Sequence, residues 1–368
     1  MTKYRGAVIG LGWMGMLYDL AERMGVWHVD DIDRPTPELD VHRKFYYHDR
    51  HSPRKSMPTS YAEALSDRPE ITLVAAAERD QNRLAAFGER YGVEILYTDA
   101  KEMLQKEKPD IVAISTNTKG RADLTCYAVE NGAKGIVTEK PMAYTLEEAD
   151  RMVKVCADAS VPLCCGAIST SHPSFETAKD LVTSGTIGEV LSIEAESDQN
   201  LSQHQNWSYF VDSTPTWVIG LGDLPKRESG SAEFRGQGMM VTNTGLVVHF
   251  RKGAPAVRIT GTAGELLHPE HYSDWTLFQE IETAAGRHTI EVPWPGPKMQ
   301  VGGGSINGLA DVMKCLAGEL DEPKNSGRRV AVALEVEIAI KLSSAQGGQR
   351  IDLPLGDRSL GLEYDWHR

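Results

Sequence analysis

The chain has 368 residues, of which 41% are hydrophobic and 25% are charged. This length favours two domains, and this composition is typical of a globular enzyme. The formal net charge of -13 at pH 7 argues against a nucleic-acid-binding protein, because such proteins need a basic face for the phosphate backbone.

The N-terminal residues and the cysteines indicate a cytoplasmic protein. The first residues lead directly into a glycine motif, with no apolar segment of the signal-peptide type. No apolar run approaches the ~18 residues of a membrane span. The five cysteines are odd in number and scattered, which fits reduced thiols and matches no zinc pattern. We therefore expect no membrane partner, no nucleic-acid partner and no metal.

A glycine motif ends the first apolar run. Residues 7–9 predict a buried strand, and the next six read G-x-G-x-x-G. In a dinucleotide-binding turn, the first glycine permits the tight turn, the second lets the backbone approach a pyrophosphate, and the third lets a helix pack closely. A helix-like run at 16–24 follows, which favours this interpretation over an ordinary turn. The cofactor-binding candidates are Gly10, Leu11, Gly12, Trp13, Met14 and Gly15.

Strands and helices alternate along the first half of the chain. This alternation predicts a doubly wound parallel sheet with helices on both faces, and hence an α/β Rossmann domain over residues 1–167. The predicted strands after the first are 71–77, 94–97, 111–115, 135–138 and 162–167. The predicted helices between them are 82–91, 100–105, 121–131 and 146–159.

One segment interrupts this pattern, at about residues 25–58. It is rich in Asp, His, Pro and Arg and has no sustained apolar period. Its density of His and Asp invites a metal hypothesis, but the spacings match no defined ligand pattern. We interpret it as an insertion that caps the cofactor or shapes the mouth of the substrate site.

The second half, residues 168–368, predicts an α+β domain. Its short, alternating strands indicate a large open sheet that is mainly antiparallel. Such a sheet leaves one face uncovered, so we expect a homodimer or homotetramer that forms through it. The predicted strands are 190–197, 238–242, 246–250, 257–260, 275–280 and 288–291, and the predicted helices are 174–184, 306–317 and 330–344.

Glu78 ends the second predicted strand, and Arg79 follows it. An acidic residue at this position normally binds the ribose hydroxyls of NAD and disfavours the 2′-phosphate of NADP. Glu78 lies much further from the glycine motif than the usual ~20 residues, and the insertion accounts for the excess. Arg79 and Arg83 could instead receive a 2′-phosphate, so NADP is not excluded. A solvated charged loop is the remaining alternative.

Glu139, Lys140 and Pro141 directly follow the strand predicted at 135–138. This position is the carboxyl edge of the sheet, where ligands bind in such folds. A desolvated lysine there can have a lowered pKa and can take or give a hydroxyl proton. The alternative is a surface lysine before a proline turn.

Four motifs together resemble the Gfo/Idh/MocA oxidoreductases, which include glucose–fructose oxidoreductase and inositol dehydrogenase. They are GLGWMG at 10–15, EKP at 139–141, SGTIGEV at 184–190 and LPL at 353–355. The resemblance implies hydride transfer between a nicotinamide cofactor and a hydroxyl-bearing carbon of a sugar, sugar derivative, glycoside or inositol. It also implies that Lys140 is the catalytic lysine and that Glu139 contacts the nicotinamide ribose.

Other site residues come from the same resemblance. Ser115, Thr116 and Asn117 follow the fourth strand and match positions beside the nicotinamide. His204 is the best match for a histidine near the substrate, although Trp207 stands where the family motif has Asp. His204 could then share proton transfer with Lys140.

The expected substrate-binding residues complete the site. The ring of Trp207 or Tyr209 could stack on a sugar. The alternatives are that Trp207 packs in the core and that His204 is a rim residue. His172 has an equally good alternative as a helix N-terminus with Pro173 at its first position. Arg121 replaces a histidine of the family pattern. The candidates are Arg121, His172, Asn206, Trp207, Tyr209 and Asp212.

The sequence therefore predicts an NAD-dependent sugar or polyol dehydrogenase. Two other classes remain open. A hydrolase or lyase of the same fold could use NAD for transient oxidation without net redox change. A non-catalytic regulator that senses NAD(H) would bind the cofactor without turnover.

Overall fold

The computed structural model describes residues 3–17, 59–197, 201–222, 236–300 and 302–362. The chain divides into two units. Unit 1 comprises Met1–Ala143, Glu148–Ala167 and Gln300–Gly327, and unit 2 comprises Tyr144–Glu147, Ile168–Met299 and Arg328–Arg368. One boundary between the units follows Ala167, which is where the sequence predicts a domain boundary. Residues Gln300–Gly327 also belong to unit 1. The insertion predicted at 25–58 lies outside the described residues.

Unit 1 contains a six-stranded parallel sheet, which confirms the predicted fold class. Its strand order is β3-β2-β1-β4-β5-β6, so the order reverses between β1 and β4. In sheets of this kind ligands bind at such a reversal, outside the carboxyl ends of the strands. The strands are β1 (Tyr4–Ile9), β2 (Ile71–Ala77), β3 (Ile95–Tyr97), β4 (Ile111–Ile114), β5 (Gly135–Thr138) and β6 (Leu163–Cys165).

Two helices of unit 1 begin at aspartate caps. The side chain of Asp80 accepts from the backbone N–H groups of Asn82 and Arg83, and Asp99 caps the next helix in the same way. Such caps satisfy N–H groups that have no partner inside the helix. The helices in chain order are α1 (Tyr61–Ser66), α2 (Gln81–Tyr91), α3 (Ala100–Glu107), α4 (Arg121–Glu130) and α5 (Leu146–Asp158).

The helix that begins within the glycine motif is of a different type from the predicted one. The sequence predicts an α-helix at 16–24, whereas the described part, Trp13–Leu17, is a π-helical turn. The N–H groups of Met16 and Leu17 both donate to the carbonyl of Gly12, at 3.0 and 3.2 Å. The remainder of the predicted helix lies outside the described residues.

Unit 2 contains a nine-stranded sheet of order β14-β13-β12-β11-β7-β10-β9-β8-β15. Only β7 and β10 pair in parallel among its described strand pairs, so the sheet is mainly antiparallel, as predicted. The sequence patterns did not indicate β8, β12 or β15. The strands are β7 (Val190–Glu196), β8 (Pro215–Leu221), β9 (Gln237–Thr242), β10 (Val247–Arg251), β11 (Val257–Gly261), β12 (Gly264–His268), β13 (Thr276–Thr283), β14 (Gly286–Val292) and β15 (Ile351–Asp352).

Three further helices complete the chain: α6 (Pro173–Thr183), α7 (Gly304–Leu316) and α8 (Gly327–Ala345). In unit 2, α8 lies so close to the sheet that a Cβ on Gly220 would be 2.0 Å from the carbonyl oxygen of Ile340. Gly220 therefore permits this close approach. Within the described residues, no helix is long and apolar enough to cross a membrane.

Candidate functional site

The three glycines of the N-terminal motif have different surroundings. Gly10 has φ +86°, a conformation that favours glycine, and a Cβ on Gly15 would lie 2.0 Å from the carbonyl oxygen of Gly10. A Cβ on Gly12 would meet nothing within 4 Å. Gly10 and Gly15 therefore permit the turn and its packing, whereas Gly12 leaves the backbone open to a ligand.

The carboxylate of Glu78 lies against this glycine turn. Its Oε2 accepts from the N–H of Leu11 at 2.6 Å, and its Oε1 accepts from the N–H of Arg79 at 2.7 Å and of Asp80 at 3.3 Å. A fixed negative charge beside the glycines fits ribose hydroxyls and disfavours a 2′-phosphate. Arg83 lies 3.8 Å from Asp80, with which it forms an ion pair. These residues fit a dinucleotide whose adenosine ribose is unphosphorylated.

The residues after β4 differ in what they contact. The hydroxyl of Ser115 donates to the carbonyls of Ile9 at 3.2 Å and of Gly10, so it ties β4 to the glycine turn. The hydroxyl of Thr116 donates to the carbonyl of Asn117 at 3.1 Å, and Asn117 is exposed. Thr116 and Asn117 thus remain at the carboxyl edge, while Ser115 has a structural contact.

Glu139 is buried immediately after β5, and both of its carboxylate oxygens are hydrogen-bonded. Oε1 accepts from the hydroxyl of Tyr61 at 2.8 Å, and Oε2 accepts from the N–H of Lys140 at 3.1 Å. Tyr61 is fully buried, and its hydroxyl also contacts the carbonyl of Thr138 at 3.1 Å. Burial and the adjacent Glu139 raise the pKa of Tyr61 well above its ordinary value. Tyr61 therefore acts as a neutral donor that fixes the Glu139 carboxylate.

Arg121 is buried beside the same turn. Its guanidinium donates to the backbone carbonyls of Glu139, at 2.9 Å, and of Pro141 and Thr116. Burial lowers its pKa. The sequence placed Arg121 among the substrate-binding residues, whereas these contacts make it a bridge between the loop after β4 and the turn after β5. The reason is that Arg121 begins α4 at the base of that loop, where backbone carbonyls converge.

Lys140 is the central residue of this arrangement. It is half-buried, follows β5 at the carboxyl edge, and precedes a cis peptide bond to Pro141. Its backbone is held through Glu139 on one side and through the Arg121 contact to Pro141 on the other. In the sheet order, β4 separates β5 from β1, so Lys140 lies at the same edge as the glycine turn.

In unit 2, His204 and Asn206 lie in a small polar cluster. The His204 ring centroid is 4.4 Å from that of His271, and the Asn206 Nδ2 is 3.4 Å from the His271 Nδ1. Asn206 is fully buried, and its Oδ1 accepts from the hydroxyls of Ser169, at 3.1 Å, and Thr170. The sequence analysis missed His271, because no motif surrounds it.

Two predicted substrate residues have structural positions instead. Trp207 is fully buried, and its indole N–H donates to the carbonyl of Leu201 at 3.1 Å, so its ring is part of the core. His172 caps α6, because its Nδ1 accepts from the N–H of Ser174 at 3.1 Å and Pro173 occupies the first turn. Both positions match the structural alternatives that the sequence left open.

Tyr209 and Asp212 lie among basic side chains. The ammonium of Lys179 is 2.6 Å from the Asp212 carboxylate and 5.7 Å from the centre of the Tyr209 ring. The guanidinium of Arg329 is 3.9 Å from Asp212 and 5.4 Å from the same ring centre. Asp212 is therefore engaged with cations rather than with His204. In the part of the chain that the structure describes, no group of three or more His, Cys, Asp or Glu residues could hold a metal ion.

Residues 56–167 match the family GFO_IDH_MocA, described as an oxidoreductase family with an NAD-binding Rossmann fold. Over these residues, the chain is similar to the Gfo/Idh/MocA oxidoreductases. The match includes the Glu-Lys-Pro motif at 139–141 and agrees with the resemblance that the motifs indicated. It covers most of the strands that build the sheet of unit 1.

Three of the curated relatives are named as sugar or inositol dehydrogenases. D-Apiose dehydrogenase of Paraburkholderia graminis is 35% identical over 116 residues, which are 32% of this chain and 31% of that protein. Myo-inositol 2-dehydrogenase of Thermotoga maritima is 30% identical over 130 residues, or 35% of this chain and 39% of that protein. D-Xylose 1-dehydrogenase [NADP(+)] of Haloarcula marismortui is 27% identical over 206 residues, or 56% and 52%. The first two matches span about a third of the relatives.

Solved structures share the fold over nearly the whole chain. An NAD-binding oxidoreductase from Klebsiella pneumoniae has a TM-score of 0.68 at 15% identity, covering 96% of this chain and 100% of that chain. Aldose–aldose oxidoreductase from Caulobacter crescentus has a TM-score of 0.65 at 18% identity, covering 95% and 100%. At these identities, the likeness concerns the fold alone.

Proposed function

We propose that the protein is an NAD(P)-dependent oxidoreductase. It transfers a hydride between the nicotinamide and a hydroxyl-bearing carbon of a sugar, sugar derivative, glycoside or inositol. The observation that carries this proposal is the turn of Glu139 and Lys140, which Tyr61 and Arg121 fix at the same sheet edge as the open glycine turn. The match of residues 56–167 to an NAD-binding oxidoreductase family supports it.

The proposed cofactor is NAD, held by the residues around the glycine turn. Gly12 would leave room for the pyrophosphate, and Glu78 would bind the ribose hydroxyls. Thr116 and Asn117 would line the nicotinamide side, and Glu139 would contact the nicotinamide ribose. The bound nicotinamide supplies the hydride acceptor or donor. NADP remains an alternative, since one relative is named as NADP-dependent.

Lys140 is the proposed acid–base residue. In the oxidation direction its neutral amine takes the proton of the substrate hydroxyl, and in the reverse direction its ammonium returns that proton. The buried supports hold its backbone at one place on the sheet edge, and general acid–base catalysis requires such positioning. His204 is proposed as a second catalytic residue, and Asn206 as a polar residue of the substrate site.

Substrate class follows from the named relatives. They act on D-apiose, myo-inositol and D-xylose, which are small polyhydroxylated molecules. A screen of pentoses, hexoses, inositols and glycosides, followed by NADH or NADPH absorbance, therefore tests the proposal directly. We expect turnover with a sugar or inositol and faster turnover with NAD. Cofactor binding without a change in absorbance on any of these compounds would contradict it.

A substitution of Lys140 separates catalysis from binding. Lys140→Met is expected to lower kcat by at least about 100-fold, with little change in NADH affinity measured by fluorescence. Lys101→Met removes an exposed lysine of α3 and serves as the matched control. A folded Lys140→Met enzyme with near wild-type turnover would exclude Lys140 as the acid–base residue.

We also propose a homodimer or homotetramer that forms through the outer face of the unit 2 sheet. On this face, Trp217, Val241 and Val247 lie side by side in the strand register and are half-buried. Apolar side chains in a continuous row favour contact with a second copy. A cytoplasmic location is part of the same proposal, supported by the five free cysteines.

A further inference from the structure

We infer that His271 is the positioning residue that orients the ring of His204. This inference rests on the proposed function only for its effect on turnover. A histidine that acts on a substrate needs a group that holds its ring in one orientation. Residue 207, where the family motif has Asp, is a core tryptophan, and Asp212 forms an ion pair with Lys179.

The orientation begins at Asn206, which is fully buried. Its Oδ1 accepts from the hydroxyls of Ser169 and Thr170, which lie on the short 3-10 turn Ser169–Ser171. Because the carbonyl end of the amide faces these hydroxyls, the NH₂ end faces His271. Asn206 therefore has one orientation in the cluster.

Asn206 then sets the tautomer of His271. Its Nδ2 donates toward the Nδ1 of His271 at 3.4 Å. An NH₂ group is a donor only, so with this amide orientation the Nδ1 of His271 is the acceptor and the ring proton is on Nε2.

The ring of His271 contacts the ring of His204 and thereby limits its orientation. The centroids of the two rings are 4.4 Å apart, and their planes are inclined by 41°. The ring of His271 gives His204 a packing surface. His204 is half-buried, so one side of its ring rests on His271 while the residue stays partly accessible.

Kinetics test this inference in the wild-type enzyme and three variants. His271→Ala is expected to lower kcat at least about tenfold, with NADH affinity unchanged. His271→Phe, which keeps a ring against His204, is expected to recover most of this loss. His249→Ala removes an exposed histidine of β10 and serves as the control. A His271→Ala enzyme with wild-type kcat would overturn the inference and leave the proposed function intact.

Nuclear magnetic resonance of ¹⁵N-histidine-labelled protein tests the same inference without activity. We expect His271 in the Nε2–H tautomer, and we expect the His204 ring signals to shift in His271→Ala but not in His249→Ala. An Nδ1–H tautomer, or His204 signals that do not move, would overturn it. Absence of turnover in the wild type would refute the proposed function and would leave this measurement decisive.

Discussion

At the scale of single residues, buried hydrogen bonds determine the position of Lys140. Tyr61 and Arg121 both contact Glu139, one through its side chain and one through its backbone carbonyl. Buried polar groups of this kind stabilise the fold modestly when paired and destabilise it strongly when a partner is removed. Substitution at Arg121 therefore has a measurable effect on stability.

Arg121→Met removes the donors from the carbonyls of Thr116, Glu139 and Pro141. We expect the free energy of unfolding to fall by about 3 kcal/mol, because buried carbonyls lose their partners. Urea denaturation measures the change. Arg287→Met, at an exposed arginine of β14, should stay within about 0.5 kcal/mol of wild type. Equal stability of the two variants would show that the Arg121 contacts are dispensable.

His268 gives the stability of unit 2 a pH dependence. It is fully buried, its ring stacks on Trp275 at 4.8 Å, and burial lowers its pKa to about 3. Between pH 6.5 and this value, the unfolded chain binds a proton that the folded chain does not. Stability therefore falls as the pH falls below 6.5.

His268→Phe keeps an aromatic ring beside Trp275 but cannot bind a proton. Between pH 6.5 and pH 5, we expect the free energy of unfolding of wild type to fall by about 1.5 kcal/mol more than that of the variant. Denaturant titrations across this range measure the difference. Parallel pH dependences in the two proteins would contradict the lowered pKa.

Among the elements, α7 packs against the Rossmann sheet of unit 1 although it comes late in the chain. A Cβ on Gly135 would lie 2.6 Å from Val312, so β5 and α7 are in close contact. The ammonium of Lys324 is 2.6 Å from the carboxylate of Asp311 in α7, and both side chains are buried. The N–H of Cys165 in β6 donates to the carbonyl of Asn325 at 2.8 Å. This ion pair therefore joins α7 to a segment that pairs with the sheet.

Removing one member of this ion pair leaves a buried charge alone. We expect Lys324→Met to lower the free energy of unfolding by about 3–5 kcal/mol. The double variant Lys324→Met/Asp311→Leu should recover much of this loss, because it leaves no uncompensated charge. Lys154→Met breaks an exposed pair with Asp158 and should have little effect. A single variant as stable as this control would be inconsistent with the buried pair.

At the scale of the whole molecule, the outer face of the unit 2 sheet has two parts. Trp217, Val241 and Val247 form the apolar part. Glu194 forms ion pairs with Arg251 and Arg258 in the other part. We expect a second copy to bind at the apolar part, because the cores of protein interfaces contain few charged side chains.

Val241→Glu places a charge in the centre of this row. In light scattering after size-exclusion chromatography, we expect the variant to have the mass of a single chain and wild type to have the mass of a dimer or tetramer. Gln105→Glu adds the same charge on the exposed side of α3 and should leave the mass unchanged. A monomeric wild type would refute association through this face.

Features that depend on neighbouring residues could be predicted from the sequence. The glycine turn, the alternation of strands and helices, and the Glu-Lys-Pro turn all follow from local backbone requirements and periodicity. For this reason β2 and β5 have the bounds that the sequence predicted. The family could also be recognised, because its motifs are short and local.

The side chains that support those features could be identified only in the folded protein. Tyr61 lies 78 positions from Glu139, and Asn206 lies 65 positions from His271, so no local pattern connects them. Arg121 bridges two loops, and α7 packs against the sheet of unit 1. Both arrangements also depend on packing between distant segments. Such contacts arise from the packing of the whole unit, whereas sequence patterns report only the few residues within one turn or strand.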